Sequence, residues 1–141
     1  MARLIDRIKA GEAGAPVAEL VGFRLTAVET GKAVFELAAG PQHANPMGTL
    51  HGGVLCDVAD AAMGVAYAST LADGESFTTL ELKINFLRPF RSGILTATAR
   101  VVKGGRTVGL TECDVTDGEG RLIARAMSTC MTLRGDSGEG R

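Results

Sequence analysis

The stretch from Gly52 to about Thr70 constrains the fold of this 141-residue chain most, because it predicts a helix with no side suited to water. It contains no proline, and apolar residues recur in it at three- and four-residue spacing. The other face carries two aspartates as its only charges, Asp57 and Asp60, among small residues that allow close packing. Other elements must therefore cover this helix nearly all round. The apolar stripe consists of Leu55, Val58, Ala62, Val65 and Ser69.

Alternation of apolar and polar residues predicts strands on both sides of the helix. Thr30-Gly31 is the expected hairpin turn between the first two. One antiparallel sheet curled around the helix would provide the cover that the helix needs, so we expect an α+β fold. The predicted strands are Gly22–Val28, Lys32–Ala38, Thr78–Phe86, Gly93–Lys103, Thr107–Thr116 and Arg121–Leu133.

The ends of the chain are expected to lie at the margin of this core. Residues 1–12 carry Leu4, Ile5 and Ile8 at helical spacing, which predicts a short N-terminal helix. The glycine-rich residues 135–141 predict a disordered tail. All 141 residues are expected to form one domain, since this length suits a single core.

Composition argues against several classes of function. The net charge is −1, with one tyrosine and no tryptophan, so we expect no binding to nucleic acid. No run approaches the roughly 18 apolar residues that span a bilayer. The charged start also lacks the apolar centre of a signal peptide, so we expect a cytoplasmic protein without membrane contact. The three cysteines are expected to be reduced, and with only His43 and His51 beside them we expect no metal.

Asp60 is the first candidate for catalysis. A carboxylate on a covered helix is costly unless it is hydrogen-bonded or retained for function. Asp57 lies nearer the positive end of the helix dipole, where its charge is stabilised, so a structural role suits it better. Asp60 lies about one turn deeper. Loss of solvation there is expected to raise its pKa toward the range of a general base.

The pair Gly52-Gly53 at the start of the helix is the second candidate. Glycines at this place leave backbone N–H groups that no side chain blocks from an approaching oxygen. One such donor contributes about 3 to 4 kcal/mol to an acyl-transfer transition state. Alternatively, the pair is a tight turn that lets the loop meet the helix. His51 is then a structural histidine and Asn45 a turn residue.

Taken together, these residues resemble a known family. The motif NPMGTLHGG at residues 45–53, then Asp60, then LKINFLRP at residues 82–89 are similar to the PaaI-like acyl-CoA thioesterases of the hotdog fold. The likeness runs from Gly22 to Leu133. It implies one antiparallel β-sheet curled around a central α-helix, in agreement with the predicted elements.

The resemblance also implies roles for individual residues. The amide of Gly52 would polarise the thioester carbonyl, assisted by the helix dipole. Asp60 would activate or orient the attacking water, or attack as a nucleophile. Asn45 would hold the water or the thioester, and His51 would fix the loop and help to position the carbonyl. Thr79 would support the water, although it is nearly as well explained as a polar strand residue.

Family sites lie between two protomers, so Gly52 of one subunit is expected to face Asp60 and Thr79 of the other. A single sheet of this size also leaves a second face and two edges to protect. Both considerations predict a homo-oligomer, either a dimer with shared sites or a dimer-of-dimers tetramer.

Coenzyme A carries phosphates, and flexible cations at the predicted strand ends are suited to bind them. Each of these cations is equally well explained as a solvated surface charge. The resemblance places equivalent segments along the path of the nucleotide and pantetheine, and Gly53 beside the substrate. The basic candidates are Arg88, Arg91, Lys103 and Arg106.

The sequence therefore predicts a hydrolase of acyl-CoA thioesters with small, medium-chain or aryl acyl groups. No cofactor is expected, because coenzyme A is part of the substrate. Two alternatives remain open. One is a hotdog-fold hydratase or dehydratase acting on enoyl-CoA, and the other is a non-catalytic protein that binds acyl-CoA.

Overall fold

The computed structural model describes residues 2–12 and 14–135. Three α-helices, six strands and a short 3-10 turn follow one another along the chain. The helices are α1 (Ala2–Lys9), α2 (Pro16–Val21) and α3 (Gly52–Ala68), and the 3-10 turn covers Pro41–His43. The strands are β1 (Phe23–Glu29), β2 (Lys32–Ala39), β3 (Ser76–Phe86), β4 (Gly93–Gly104), β5 (Val108–Thr116) and β6 (Leu122–Leu133).

The strands form one six-stranded sheet in the order β1-β2-β4-β5-β6-β3. Every neighbouring pair is antiparallel. Helix α3 contacts all six strands, so the sheet curls around it. The predicted α+β fold with a central helix is thereby confirmed, and β1 and β3 are the two edge strands.

The two halves of α3 differ in how well the sheet covers them. In the C-terminal half, Ala62, Met63 and Ala66 are each 0% exposed. In the N-terminal half, Asp57 and Asp60 are exposed. The prediction of a helix buried nearly all round is therefore wrong for the N-terminal half within a single chain, because one sheet does not reach around both halves.

The N-terminal region contains a helix that the sequence pattern does not predict. Helix α2 begins with Pro16 and ends at Val21, and the φ of 97° at the following Gly22 is left-handed. The Gly22 amide donates to the carbonyl of Ala18. Proline is common at the first position of a helix and glycine just after the last. These two residues could have predicted α2 from the sequence. Helix α1 ends at Lys9, so the predicted helix 1–12 is too long at its end. Of the predicted tail, residues 136–141 lie outside the described residues.

A β-bulge at Leu80 changes the direction of the side chains along β3. Thr79 pairs with Cys130, whereas Glu81 pairs with the adjacent Thr129, so Leu80 is the extra residue. Strict alternation would place Thr79 and Leu82 on opposite faces of the sheet, and that prediction is wrong. Thr79 bonds to α3, and Leu82 also packs against the core on that side. The bulge thus turns Thr79 toward the central helix.

The outer face of the sheet carries ion pairs between strands. Arg100 pairs with Glu112, and Arg125 pairs with Asp114, across adjacent strands. Three large exposed apolar side chains cluster at the β3 edge and just beyond it, at Leu80, Phe86 and Leu87, and others lie on β4, β5 and β6, at Ile94, Val102, Val108 and Met127. Within residues 2–12 and 14–135, no helix is long and apolar enough to cross a membrane.

Candidate active site

The backbone amides at the start of α3 differ in their hydrogen bonds. His51 is the N-cap, and its Nδ1 accepts a hydrogen bond from the Gly53 amide at 2.9 Å. The next amide, of Val54, donates to the carbonyl of His51. Within the described residues, the Gly52 amide has no acceptor. Gly52 is therefore the amide at the positive end of the helix that is free to bind an oxygen, whereas the Gly53 amide is not.

The loop before α3 is held by its own hydrogen bonds. The Asn45 side chain accepts from the amides of Met47 and Thr49, and its Nδ2 donates to the Thr49 hydroxyl at 2.8 Å. Asn45 thus organises the turn, as its structural interpretation predicts. One Nδ2 hydrogen is left for any contact with substrate. Gly48, with φ of 83°, completes the turn in a conformation that favours glycine.

His43 anchors the same loop from the other side, and sequence reasoning did not single it out. It is buried, its Nδ1 accepts from the Gly40 amide, and its Nε2 donates to the carbonyl of Val21 at 2.6 Å. The carbonyl of His43 in turn accepts from the amide of His51. The two histidines therefore connect the end of α2 to the start of α3 through one rigid loop.

Phe86 is a second residue that the sequence did not place in the site. A Cβ on Gly52 would lie 2.7 Å from the Cζ of the Phe86 ring, so any side chain at Gly52 would displace that ring. Phe86 is itself 55% exposed. The Gly52 amide thus has an apolar aromatic wall beside it. Phe86 continues the alternation of Leu82 and Ile84, which pack against the core, so the sequence could have placed it on the inner face. That β3 reaches the start of α3 is seen only in the structure.

Asp60 and Thr79 form the other part of the candidate site. The Thr79 hydroxyl donates to Oδ1 of Asp60 at 3.5 Å, which links α3 to β3. Both residues line a cavity of about 780 Å³. Asp60 as a whole is exposed, but protein atoms crowd its carboxyl group. This partial desolvation raises the pKa of Asp60, the Thr79 hydrogen bond lowers it, and the nearby Asp57 charge raises it further.

The free thiol beside these carboxylates is poorly suited to act as a nucleophile. Burial raises the pKa of Cys56, and the charges of Asp57 and Asp60 raise it further. The thiolate, which is the reactive form, is therefore disfavoured. Within the residues that the structure describes, no three His, Cys, Asp or Glu side chains come together as a metal site.

The helix tip and the Asp60–Thr79 pair are too far apart in one chain to act on the same atom. Asp60 follows Gly52 by eight residues on α3. At about 1.5 Å per residue this separates them by about 12 Å along the helix axis. A reacting carbonyl needs each group within about 3 Å. A single chain therefore supplies the two halves of a site, and not a complete one.

The four basic candidates lie at opposite ends of the sheet. Arg88 and Arg91 lie between β3 and β4, next to the helix tip, where Arg91 donates to the carbonyl of Gly48 at 3.3 Å. Lys103 and Arg106 lie at the far end of β4 and in the turn after it. The ten residue steps from Gly93 to Lys103 span about 33 Å of strand. One chain does not bring the two pairs together.

Comparison with known proteins gives consistent matches. The profile of the thioesterase superfamily matches residues 47–124. The 1,4-dihydroxy-2-naphthoyl-CoA hydrolase of Listeria monocytogenes is 32% identical over 111 residues, which are 79% of this chain and 90% of that protein. Among solved structures, the phenylacetic acid degradation-related protein of Ralstonia eutropha is 34% identical with a TM-score of 0.82, covering 91% of this chain and 98% of that one.

The PaaI protein from the phenylacetic acid degradation operon of E. coli is also similar in structure. Its TM-score is 0.85 at 25% identity, over 95% of this chain and 96% of that one. These matches confirm the predicted hotdog fold. The matched region contains the helix tip, Asp60 and Thr79.

Proposed function

Because the chain belongs to the thioesterase superfamily and is a thioester hydrolase of its PaaI-like branch, we propose that it hydrolyses acyl-CoA thioesters with Asp60 as general base. The observation that carries this proposal is the arrangement around Asp60. Its carboxyl has a raised pKa, accepts from Thr79, and lines an otherwise largely apolar cavity. Such a carboxylate is suited to take a proton from water.

The proposed reaction uses the two halves of the site at once. The Gly52 amide donates to the thioester carbonyl oxygen, and the α3 dipole stabilises the charge that develops there. Water oriented by Asp60 and Thr79 attacks the carbonyl carbon while one of its protons passes to the Asp60 carboxylate. The C–S bond then breaks, and the coenzyme A thiolate leaves with the proton that Asp60 had accepted, which restores the Asp60 carboxylate and releases the free acid. Asn45 and His51 hold the loop that positions the Gly52 amide.

We propose that two protomers share each site, because Gly52 and Asp60 of one chain are about 12 Å apart. The β3 edge is suited to pair with a second copy. It is eleven residues long, and Leu80 and Phe86 on it are 53% and 55% exposed. Such an unprotected apolar edge favours association. A dimer of this kind, alone or paired into a tetramer, would cover the open half of α3.

The basic residues belong to this proposal as two separate pairs. Arg88 and Arg91 lie near the helix tip that binds the carbonyl, so they are placed to meet the phosphates of coenzyme A. Lys103 and Arg106 reach the same ligand only if another protomer brings them close. Three free cysteines fit a reducing compartment, so we place the activity in the cytoplasm.

A matched pair of substitutions at Gly52 tests the amide. Gly52 is the first helical position, where proline is tolerated, and His51 before it has φ −66° and ψ 133°, which suit a residue preceding proline. Gly52→Pro removes the N–H, whereas Gly52→Ala keeps it and meets the same Phe86 ring. We expect Gly52→Pro to lower kcat about 10² to 10³-fold below Gly52→Ala.

The assay measures release of free thiol from a panel of CoA thioesters, with hydration of an enoyl-CoA as the competing reaction. Equal activity of Gly52→Pro and Gly52→Ala would remove the Gly52 amide from the mechanism. Hydration without thiol release would favour a hydratase. Binding of the thioesters without turnover would favour a non-catalytic acyl-CoA-binding protein.

A further inference from the structure

The N-terminal helices contribute to the wall of the cavity beside Asp60. It measures about 780 Å³, within the range of ligand sites. Its walls include Ile5 and Ile8 of α1, Ala18 of α2, and Val65 and Phe77 from the body of the fold. Residues of α1 and α2 therefore line one side of the cavity, and α3 and β3 line the other.

Polar groups occupy only part of the cavity lining. Asp60 and Thr79 are joined to each other at one place in the wall. The charged side chains Lys9, Glu19 and Arg24 are all exposed, so they lie at the rim. The remaining lining is mainly apolar. The cavity thus offers a reactive carboxylate at one place and an apolar space beyond it.

Helix α1 is the least anchored wall. It has eight residues, too few for a stable isolated helix, so packing must hold it. Ile5 is 7% exposed and Ile8 lies on the same face, toward the cavity. Asp6 and Arg7 are exposed on the other side. The position of α1 therefore depends on the apolar contacts that its inner face makes.

We propose that this cavity binds the acyl group of the thioester and that the inner face of α1 selects extended apolar acyl groups over short ones. The inference rests on the proposed function, since it assumes that the carbonyl lies beside Asp60. The apolar space beside Asp60 is suited to receive the part of the acyl chain beyond that carbonyl. Each buried methylene strengthens binding about fourfold, so a chain that reaches Ile5 and Ile8 is favoured over acetyl.

The test compares acetyl-CoA, hexanoyl-CoA and dodecanoyl-CoA as substrates of the full-length chain. Ile8→Asn introduces a polar group on the inner face of α1, and Arg7→Asn makes the matched change on its outer face. We expect Ile8→Asn to lower the ratio of kcat/KM for dodecanoyl-CoA to that for acetyl-CoA about tenfold, mainly through KM. Arg7→Asn should leave the ratio as in the wild type. An unchanged ratio in Ile8→Asn would overturn the proposal.

A second variant keeps the test valid if α1 detaches in Ile8→Asn. Val65→Phe fills the cavity from α3, and we expect the same fall in the ratio without any change in α1. If it instead lowers kcat/KM equally for all three thioesters, the cavity does not hold the distal part of the acyl group.

Direct binding separates this inference from the proposed function. The probe is cis-parinaric acid, a fluorescent fatty acid, displaced by dodecanoic acid. If no thioester is hydrolysed, the proposed function fails, but probe binding that Ile8→Asn weakens and Arg7→Asn does not would still support the apolar site. Failure of the wild type to bind the probe would overturn the site itself, whatever its thioesterase activity.

Discussion

The two halves of α3 show what the sheet covers and what it leaves open. In the C-terminal half, Ala62, Met63 and Ala66 are fully buried, and Tyr67 is 2% exposed. In the N-terminal half, an exposed carboxylate and an uncommitted amide lie on a helix that is otherwise apolar. Both halves have the same kind of sequence, rich in alanine, glycine and valine. The two halves therefore differ in how well the sheet buries them and not in their composition.

This difference suggests a structural role for the C-terminal half of α3 and a role in the proposed reaction for the N-terminal half. Packing of Ala62, Met63 and Ala66 against the sheet holds the C-terminal half in place, whereas Val65 is half-buried beside the cavity. The N-terminal half retains the Gly52 amide and the Asp60 carboxyl, to which we assign the proposed hydrolysis. Changes in the open half should therefore act on activity, and changes at the sheet-facing residues of the covered half on stability.

The largest expected effect is that of Asp60→Asn. It removes the proposed base and should lower kcat about 10² to 10⁴-fold with a smaller effect on KM. The pKa of Asp60 is raised in the folded chain, so its charge lowers stability once the pH exceeds the ordinary pKa of aspartate. The variant should therefore melt no lower than the wild type at pH 7. Full activity, or a loss that follows unfolding, would end the assignment of Asp60.

The next effect concerns the sharing of the site between chains. Subunits carrying Gly52→Pro and Asp60→Asn are co-expressed with different tags, and mixed assemblies are purified through both tags. In a mixed dimer, one of the two sites combines an intact Gly52 with an intact Asp60. About half of the wild-type activity should then return, although neither variant is active alone. Continued inactivity of purified mixed dimers would show that each chain carries its own site.

The pH dependence of kcat/KM should shift in opposite directions in two variants. Asp60 acts as a base only when ionised, so activity falls as the pH drops through its pKa. Thr79→Val removes the hydrogen bond that lowers this pKa, and the acidic limb should move to higher pH. Asp57→Asn removes the charge that raises it, and the limb should move to lower pH. Thr79→Ser, which keeps the hydroxyl, is the control. A shift in the same direction in both variants would contradict Asp60 as the titrating group.

Much of the fold could be predicted because the hydrophobic periods are long and regular. The helix from Gly52 and the later strands follow one apolar period each, so their ends agree with the structure within a few residues. The position of Thr79 could not be obtained in this way, because a bulge breaks the alternation. Phe77 and Leu82 both face inward although they are five residues apart, which a regular strand does not allow. This odd separation of two apolar residues was the sign of the bulge in the sequence.

The candidate site was predictable only in its residue types. The motif indicates Gly52, His51 and Asp60, but not that His51 occupies the Gly53 amide and leaves that of Gly52 free. Which of the two amides is left free depends on the side-chain rotamer and the backbone angles of His51. The grouping of Arg88 and Arg91 apart from Lys103 and Arg106 depends on strand direction over the whole sheet. Neither is local in the sequence.

The smallest effect is expected in the covered half of α3, where Tyr67→Phe should change stability and not activity. The Tyr67 hydroxyl bonds to that of Thr132 at 2.7 Å in the interior. Its loss leaves the Thr132 hydroxyl buried without that partner, at a cost of about 1 to 3 kcal/mol in the free energy of unfolding. Urea titration measures this cost, and kcat/KM should stay as in the wild type.

The double variant Tyr67→Phe with Thr132→Val removes both hydroxyls at nearly constant shape, so it should recover much of the lost stability. Recovery would show that the cost comes from the broken polar pair and not from a change in packing against Gly109, where the Tyr67 ring lies. A fall in kcat/KM in Tyr67→Phe with unchanged stability would instead place this half of the helix in the reaction. The division of α3 into a covered structural half and an open catalytic half would then be lost.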